Sequence, residues 1–382
     1  MIADLNAQIA NADSSSTIGH LFHLATEVER LSAGVAEYDS SELISTAAEV
    51  GSVRYVDDGT LRVYDSDNWR NILTEYSPTP SAPTEPWGGF RGTLYGYSSK
   101  ASLTTSTINK FSLSSNGNAS DIGNLNLAVS NIADVGTTSN THLYEAGGQA
   151  SGGVQSNQIQ KWPASADDNA TDVADLTVAR QWGSQSSSAT HGYYAVGQSP
   201  SFSNVIDKYS HSVDANATDV GDASTARSRT ASFTDDTNSN GYIVMGRAPP
   251  TGTNELIKYS HTSDGNSTGT STLGTTVQQS AGSCSTTHGY NMGGIYSYNG
   301  YKDDIYKYVF ATDANAGDVG SLTTTRWDNA GVSSSTHGYT IAGSGVPGET
   351  NIIENFPFSS DGNMTDVGDL TAVTSRNSGT QT

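Results

Sequence analysis

Along most of this chain apolar and polar positions alternate in short runs, each cut off by Gly, Asn or Asp. That period-two pattern predicts short β-strands joined by tight turns. The runs recur in register. A tyrosine in segments such as Thr-His-Gly-Tyr falls at Tyr95, Tyr144, Tyr193, Tyr242, Tyr290 and Tyr339, with gaps of 49, 49, 49, 48 and 49 residues. Four residues later stands Gly148, Gly197, Gly246, Gly294 or Gly343, with Ser99 in the first unit. An aromatic follows at Phe111, Trp162, Tyr209, Tyr259, Tyr308 and Phe356, on a strand of the form Ile/Leu-X-Lys/Asn-aromatic. A turn resembling Asp-Gly-Asn-Ala-Thr-Asp-Val-Gly-Asp comes next, and then Leu125, Leu176, Ala223, Leu273, Leu322 or Leu370.

Each unit holds about four strand-like stretches, and none holds a helical pattern long enough for a solenoid of helices. The fold class is therefore mainly β, and a four-stranded unit of about 50 residues predicts a six-bladed β-propeller over residues 87–382. From Arg326 to Tyr339 is 13 residues, so another full unit starting at Arg376 has no room before Thr382. The segment Asn377–Thr382 is one strand long, and the first unit, which begins near Thr93, lacks that strand. The C-terminal strand is expected to complete the first blade and close the ring.

The order Arg326 … Ser335-Thr336-His337-Gly338-Tyr339 … Gly343 … Ile353-Glu354-Asn355-Phe356 … Leu370 … Arg376 resembles the kelch family, over about Trp87 to Thr382. The doubled glycine of that family survives only at Gly147-Gly148 and Gly293-Gly294, and an Asn/Asp turn stands where kelch blades carry a late Trp. The resemblance implies a kelch-like propeller.

Residues 1–86 differ in kind. Asp4 to Ala12 is a short helix candidate, and Ser14-Ser15-Ser16 can cap a second helix. In the second helix Leu21, Leu24, Val28, Leu31 and Val35 are spaced as an a/d seam about two heptads long. This predicts a helical anchor over 1–50, packing on its own domain, on copies of the chain or on a partner helix. Over 51–75, Val53-Arg54-Tyr55-Val56, Asp57-Asp58-Gly59 and Leu61-Arg62-Val63-Tyr64 predict a hairpin, with Trp69-Arg70-Asn71-Ile72 as a third strand. The run Gly51–Trp69 resembles a small module of tail-fibre and appendage proteins in tailed bacteriophages. That resemblance implies a virion appendage, assembled in a host cytoplasm and exposed on the particle. Its expected partners are other virion proteins through residues 1–75, further copies of itself, and a glycan or protein on the host surface. Pro78, Pro80, Pro83 and Pro86 mark 76–86 as a semi-rigid linker.

Charge narrows the partners. With 39 acidic and 18 basic residues the formal net charge is −21, which disfavours nucleic acid and anionic lipid surfaces. Residues 1–86 carry 14 acidic and 4 basic residues, so tight self-packing of that region works against repulsion. No stretch has the roughly 18 apolar residues of a membrane span, and no basic, apolar leader opens the chain. The single cysteine, Cys284, excludes an internal disulfide framework.

No cofactor is expected and no catalytic arrangement stands out, so the chain reads as a non-enzymatic binding protein. A nucleophile elbow, a phosphate-binding Gly loop and a recurring carboxylate pair are absent from the sequence. His142, His191, His288 and His337 share one repeat position, but blade-to-blade spacing is far beyond the roughly 2 Å of a metal–nitrogen bond. The Asp361–Asp366 turn and its relatives carry alternating side-chain oxygens, as calcium loops do, and Asx turns account for the same residues. What varies is the loop after each conserved Gly. In the fifth unit it reads Ile295–Asp304, and Tyr296, Tyr298, Asn299, Tyr301 and Asp303 place aromatic faces beside amide and carboxylate groups. Such a set suits a sugar, and equally a plain polar loop. The readings left open are a host-contacting tail fibre or tip, a structural head-decoration or collar fibre, and a kelch-like sugar-modifying enzyme.

Overall fold

The computed structural model describes residues 53–56, 60–64, 69–71, 92–99, 106–249, 252–296 and 300–382. The chain divides into two units, Met1–Pro83 and Thr84–Thr382. In the first unit, Val53–Val56, Thr60–Tyr64 and Trp69–Asn71 form a three-stranded antiparallel sheet in that order, with Val53 opposite Val63 and Tyr64 opposite Trp69. The expected hairpin and third strand are both present. The seam residues Leu21, Leu24, Val28, Leu31 and Val35 lie outside the described residues.

The second unit is a six-bladed β-propeller. Its blades are successive antiparallel sheets, and the inner strand of each meets the inner strands of its neighbours around an axis. A typical blade runs Ala231–Asp235, Asn240–Val244, Glu255–Ser260, Thr268–Thr272 from the axis outward. The C-terminal strand Ser378–Gln381 pairs with Tyr95–Ser99 and completes the first blade, as the length arithmetic requires.

Packing follows the repeat. The aromatics Phe111, Trp162, Tyr209, Tyr259, Tyr308 and Phe356 are all buried, as are Leu125, Leu176, Ala223, Leu273, Leu322 and Leu370. Each large side chain removed from water contributes about 1.5–3 kcal/mol, so the landmarks of the repeat are landmarks of the core. The seams between blades are aromatic: Tyr193 packs on Tyr259 and His261 of the next blade, and Tyr290 on Phe356 and Phe358.

Two registers differ from the sequence reading. The first blade's core tyrosine is Tyr97, not Tyr95. Tyr97 sits opposite Lys110, as Tyr193 sits opposite Lys208, and it is 1% exposed while Tyr95 is 38% exposed. The alternating pattern Tyr95-Gly96-Tyr97 offers a tyrosine at both positions, and only the inward-facing one belongs to the core. Likewise Arg376 is not the counterpart of Arg326. Arg180, Arg227 and Arg326 are buried and stand two residues before a left-handed residue, whereas Arg376 is itself that residue in its blade. The slot of Arg326 is filled by Thr374.

The missing first glycine of the kelch pair also has an account. Val196, Met245 and Ala342 hold φ of 55°, 50° and 56°, the same left-handed turn that Gly147 and Gly293 take. Side chains are tolerated there at a steric cost. At the second position a Cβ on Gly246 would stand 2.6 Å from the carbonyl oxygen of Ser228, so glycine is retained.

Candidate functional site

The two faces of the ring are chemically unlike. One carries the inner turns with the histidines and the Asx turns. There His142, His191, His288 and His337 each place Nδ1 within 2.7–2.9 Å of the preceding threonine hydroxyl, and burial lowers the pKa of each. Each opens the second strand of its blade, in four of the six blades. The asparagines of the Asx turns act as staples between blades: Asn118, Asn169, Asn216, Asn266, Asn315 and Asn363 each accept the N–H of an outer-strand residue on the preceding blade, at 2.8–3.1 Å. This accounts for the asparagine that recurs in every Asx turn. Beside them, Lys110–Asp167, Lys161–Asp214, Lys208–Asp264, Lys258–Asp313 and Lys307–Asp361 tie blade to blade. Among the described residues no three His, Cys, Asp or Glu side chains stand together as metal ligands.

The other face carries the variable loops. Their bases are pinned to the crossovers that enter the same blade, by bridges between Ser130 and Gln149, Gln181 and Gln198, Ser228 and Arg247, and Gln278 and Ile295. Of the loop residues singled out by sequence, Tyr296 is exposed, with its N–H donating to the carbonyl of Gly300. Tyr301 is not a free platform. Its ring stacks on Trp327 at 4.3 Å and 9°. Asp303 is half-buried, and its backbone carbonyl accepts the N–H of Leu322. Lys302 pairs with Asp304 at 3.2 Å. Tyr298 and Asn299 lie outside the described residues. Of the described members, Tyr301 packs against Trp327 of blade six and Tyr296 is exposed.

At the axis on this face the structure builds a ring that the sequence did not announce. Asn131, Trp182, Arg229, Gln279, Asp328 and Arg376, one per blade, are all non-glycine and all left-handed, with φ between 54° and 58°. Their backbones form a belt of five links: the N–H of Trp182, Arg229, Gln279, Asp328 and Arg376 each donates to the carbonyl of the ring residue before it, at 2.7–2.9 Å. Six left-handed residues at about 1 kcal/mol or more apiece persist only where the surroundings over-determine them. The side chains form a second circuit. Arg229 lies 4.4 Å over the Trp182 ring, donates to Gln279, and Gln279 donates to Asp328, whose other oxygen takes Nε of Arg376 at 3.2 Å. Burial raises the pKa of Asp328 against the pull of Arg376 and Gln279. The identities change from blade to blade while the backbone does not, so no repeated residue type marks the position. Only the spacing from Arg180, Arg227 and Arg326 could have found it.

Below the ring the axis is plugged. The second blade carries two extra residues before its inner strand, and Asp134 in that insert lies across the channel. Its carboxylate accepts the backbone N–H of Gly282 at 2.7 Å and both the N–H and hydroxyl of Ser232, at 3.2 and 2.9 Å. Its carbonyl accepts the N–H of Gly331 and Gly379. One residue thus bonds four other blades. Burial pushes the Asp134 carboxyl up to about 7, opposed by the three hydrogen bonds, and pushes Glu145 up to about 8. Glu145 is wedged beside it, held by the hydroxyl of Ser99 at 2.9 Å. The close approach needs glycine: a Cβ on Gly282 would meet the Ser232 carbonyl oxygen at 1.8 Å.

No protein-family model matches this chain, and no curated protein matches it.

Proposed function

We propose that this chain is a non-enzymatic appendage protein of a tailed-phage virion. In this reading the propeller presents one face to a host-cell glycan or surface protein, and residues 1–75 attach the chain to other virion proteins or to its own copies. The observation that carries the reading is the division of labour between the faces. The recurring Asx turns staple blade to blade, while loop length, loop chemistry and the identities of the six left-handed axial residues vary on the opposite face. A scaffold held constant under a variable surface suits recognition. The virion part is supported by the resemblance of residues 51–72 to phage appendage modules and by the order of anchor, proline-rich linker and ring.

Two measurements test it. The full chain, labelled and incubated with a panel of bacterial cells and a glycan array, is expected to bind, and exchanging loop 296–300 for a Gly-Ser loop is expected to change the preference. Absence of binding to every cell and glycan overturns the recognition half. Leu24→Asp with Leu31→Asp is expected to abolish incorporation into particles while the ring melts unchanged. Full copy number of that variant in purified particles overturns the anchor half.

A further inference from the structure

Two of the seams between blades differ from the rest in chemistry. Two residues after the buried aromatic of each third strand, the six blades carry Leu113, Ala164, His211, His261, Phe310 and Phe358. The rings among them stack on the core tyrosine of the preceding blade: His211 on Tyr144 at 4.9 Å, His261 on Tyr193 at 4.4 Å, Phe310 on Tyr242 at 5.3 Å and Phe358 on Tyr290 at 5.1 Å. The hydroxyls of Tyr144 and Tyr193 donate to the carbonyls of His211 and His261, at 3.2 and 3.0 Å. Imidazole therefore stands where other seams hold a phenyl ring, and it does so on both sides of blade three. That blade comprises Ser184–Ser187, His191–Ala195, Val205–Ser210 and Thr218–Asp222. A phenyl ring never gains charge, whereas imidazole does.

Neither seam is built to hold that charge. His261 is 7% exposed, its Nε2 meets the Ser186 hydroxyl at 2.9 Å, and its Nδ1 is buried without a partner. The titratable groups around His211 are Tyr144, Tyr209, His142 and His191, and those around His261 are Tyr193, Tyr259 and Lys208. The acids at these seams, Asp214 and Asp264, are already paired with Lys161 and Lys208, at 2.5 and 2.9 Å. Burial lowers both imidazoles to about 3, and His142, His191 and Lys208 push the same way.

Blade three also misses the tie that the axis gives to the others. Asp134, on blade two, bonds Ser232 on blade four, Gly282 on blade five, Gly331 on blade six and Gly379 on blade one. Among the described residues it makes no bond to blade three. The inner strand of that blade is held sideways: Ser187 accepts the Thr138 N–H at 2.9 Å, the N–H groups of Gln185 and Ser187 reach Ser232 and Thr234 at 3.3 and 3.4 Å, and the Gln185 amide reaches Glu145 at 3.5 Å. A repeat is stabilised chiefly by its neighbours, so blade three depends on its two seams more than the blades that Asp134 also holds.

We infer that blade three is an acid-releasable segment of the ring: proton uptake by His211 and His261 opens both of its seams while the blades joined through Asp134 stay assembled. The direction follows from where the protons go. In an opened seam both imidazoles meet water and titrate near their ordinary value of about 6.5, and in the closed seam they stay neutral, so opening is favoured as pH falls below that value. The loop face changes with it, because the variable loop 198–204 and Trp182 belong to the released blade.

The test is hydrogen–deuterium exchange of the full chain at about pH 7.5 and about pH 5, read by mass spectrometry and corrected for the intrinsic pH dependence of amide exchange. Protection over residues 184–222 is expected to fall at least about tenfold at the lower pH, while protection over 281–357 stays within about twofold. His211→Phe with His261→Phe, which copies Phe310 and Phe358, is expected to abolish the fall with the melting transition at neutral pH retained, and either single change to reduce it. Unchanged protection over 184–222 in the unaltered chain overturns the inference. So does an equal loss in every blade, which would mean that acid acts on the ring as a whole. A full loss in a double variant that melts normally at neutral pH overturns it as well. The first two outcomes need no variant, so a variant that fails to fold does not shield the inference.

Discussion

The carboxylate of Asp134, on the second blade, accepts the backbone N–H of Gly282, on the fifth, at 2.7 Å. In a six-bladed ring those blades face each other across the axis, so this bond spans the channel. With the bonds to Ser232, Gly331 and Gly379 it makes the insert a hub that fixes the position of blades that otherwise meet only their neighbours. Asp134→Ala leaves the N–H groups of Ser232 and Gly282 unmet in a buried site. A loss of about 3 kcal/mol or more is expected, since an unpaired buried group costs about 1–3 kcal/mol and two are exposed at once. Asp134→Asn keeps the shape but turns an amide donor toward donors, and about half that loss is expected. Denaturant melts of the full chain check both, and equal midpoints for all three proteins would show that the hub is inert.

The buried acids and histidines pull stability in opposite directions with pH. Asp134 and Glu145 have folded pKa values raised to about 7 and about 8 by burial, above unfolded values of about 4. The folded state holds their protons longer than the unfolded one, so their contribution is full below about pH 4 and is lost as pH rises to 7–8. His211 and His261 are lowered to about 3 by burial against Tyr144 and Tyr193. The unfolded state takes up their protons below about pH 6.5, so stability falls as pH drops from there toward 3. Glu145→Gln is expected to flatten the decline between pH 5 and 8. His211→Phe, which copies Phe310 and Phe358 on other blades, is expected to flatten the acid decline. Thermal melts in steps of one pH unit measure both slopes.

One seam lacks the ion pair that the other five share. Where Lys307 meets Asp361, the seam between blades six and one has Asn355 and Asn116 at the matching positions. Both members change together, in a single sequence, which is what a pairwise contact requires. Asn355→Lys with Asn116→Asp is expected to add about 0.3–1 kcal/mol, small because both ends face solvent. Each single change is expected to add nothing or to cost slightly. A double-mutant cycle with no coupling would show that the five native pairs are also without weight.

Much of this fold was legible because a repeat shows its core six times over. The buried aromatics, the leucines after the Asx turns and the closing strand all keep register in the sequence. Where the register slipped, two equivalent residues stood two positions apart, as with Tyr95 and Tyr97, and a strand's period of two cannot choose between them without a partner strand. The axial ring escaped for a different reason. Its constraint acts on backbone φ and not on side-chain type, so Asn, Trp, Arg, Gln, Asp and Arg occupy one position with no common chemistry. Asp134 escaped because an insertion breaks the repeat that made everything else readable. The stacking of Tyr301 on Trp327 was not legible either, because it joins residues of two blades that the sequence does not place side by side.

Closure by the C-terminal strand makes the strongest stability prediction. Removing Asn377–Thr382 takes away the four-residue pairing of Ser378–Gln381 with Gly96–Ser99 and leaves the first blade with a raw inner edge. It also removes Gly379, one of the two N–H donors to the Asp134 carbonyl, and Gln381, whose carbonyl accepts the Thr138 hydroxyl at 2.9 Å and whose side chain accepts the Ser333 N–H. Asn377 leaves with them, and with it the bond from its amide to the Ser98 hydroxyl at 2.9 Å. A strand that joins the first blade to the inner strands of both neighbours holds cooperativity for the whole ring, because each blade is stabilised chiefly by the blades beside it. The truncated chain, residues 1–376, is expected to lose more than about 4 kcal/mol, beyond the range of ordinary single changes. A broad or early transition by circular dichroism, with restored melting when a synthetic peptide of residues 377–382 is fused through a flexible linker, is the expected result. If the truncated chain melts at the same midpoint with the same slope, the ring is held by its outer staples alone, and the Asn118 bond to the Asp369 N–H across the same seam becomes the closure that matters.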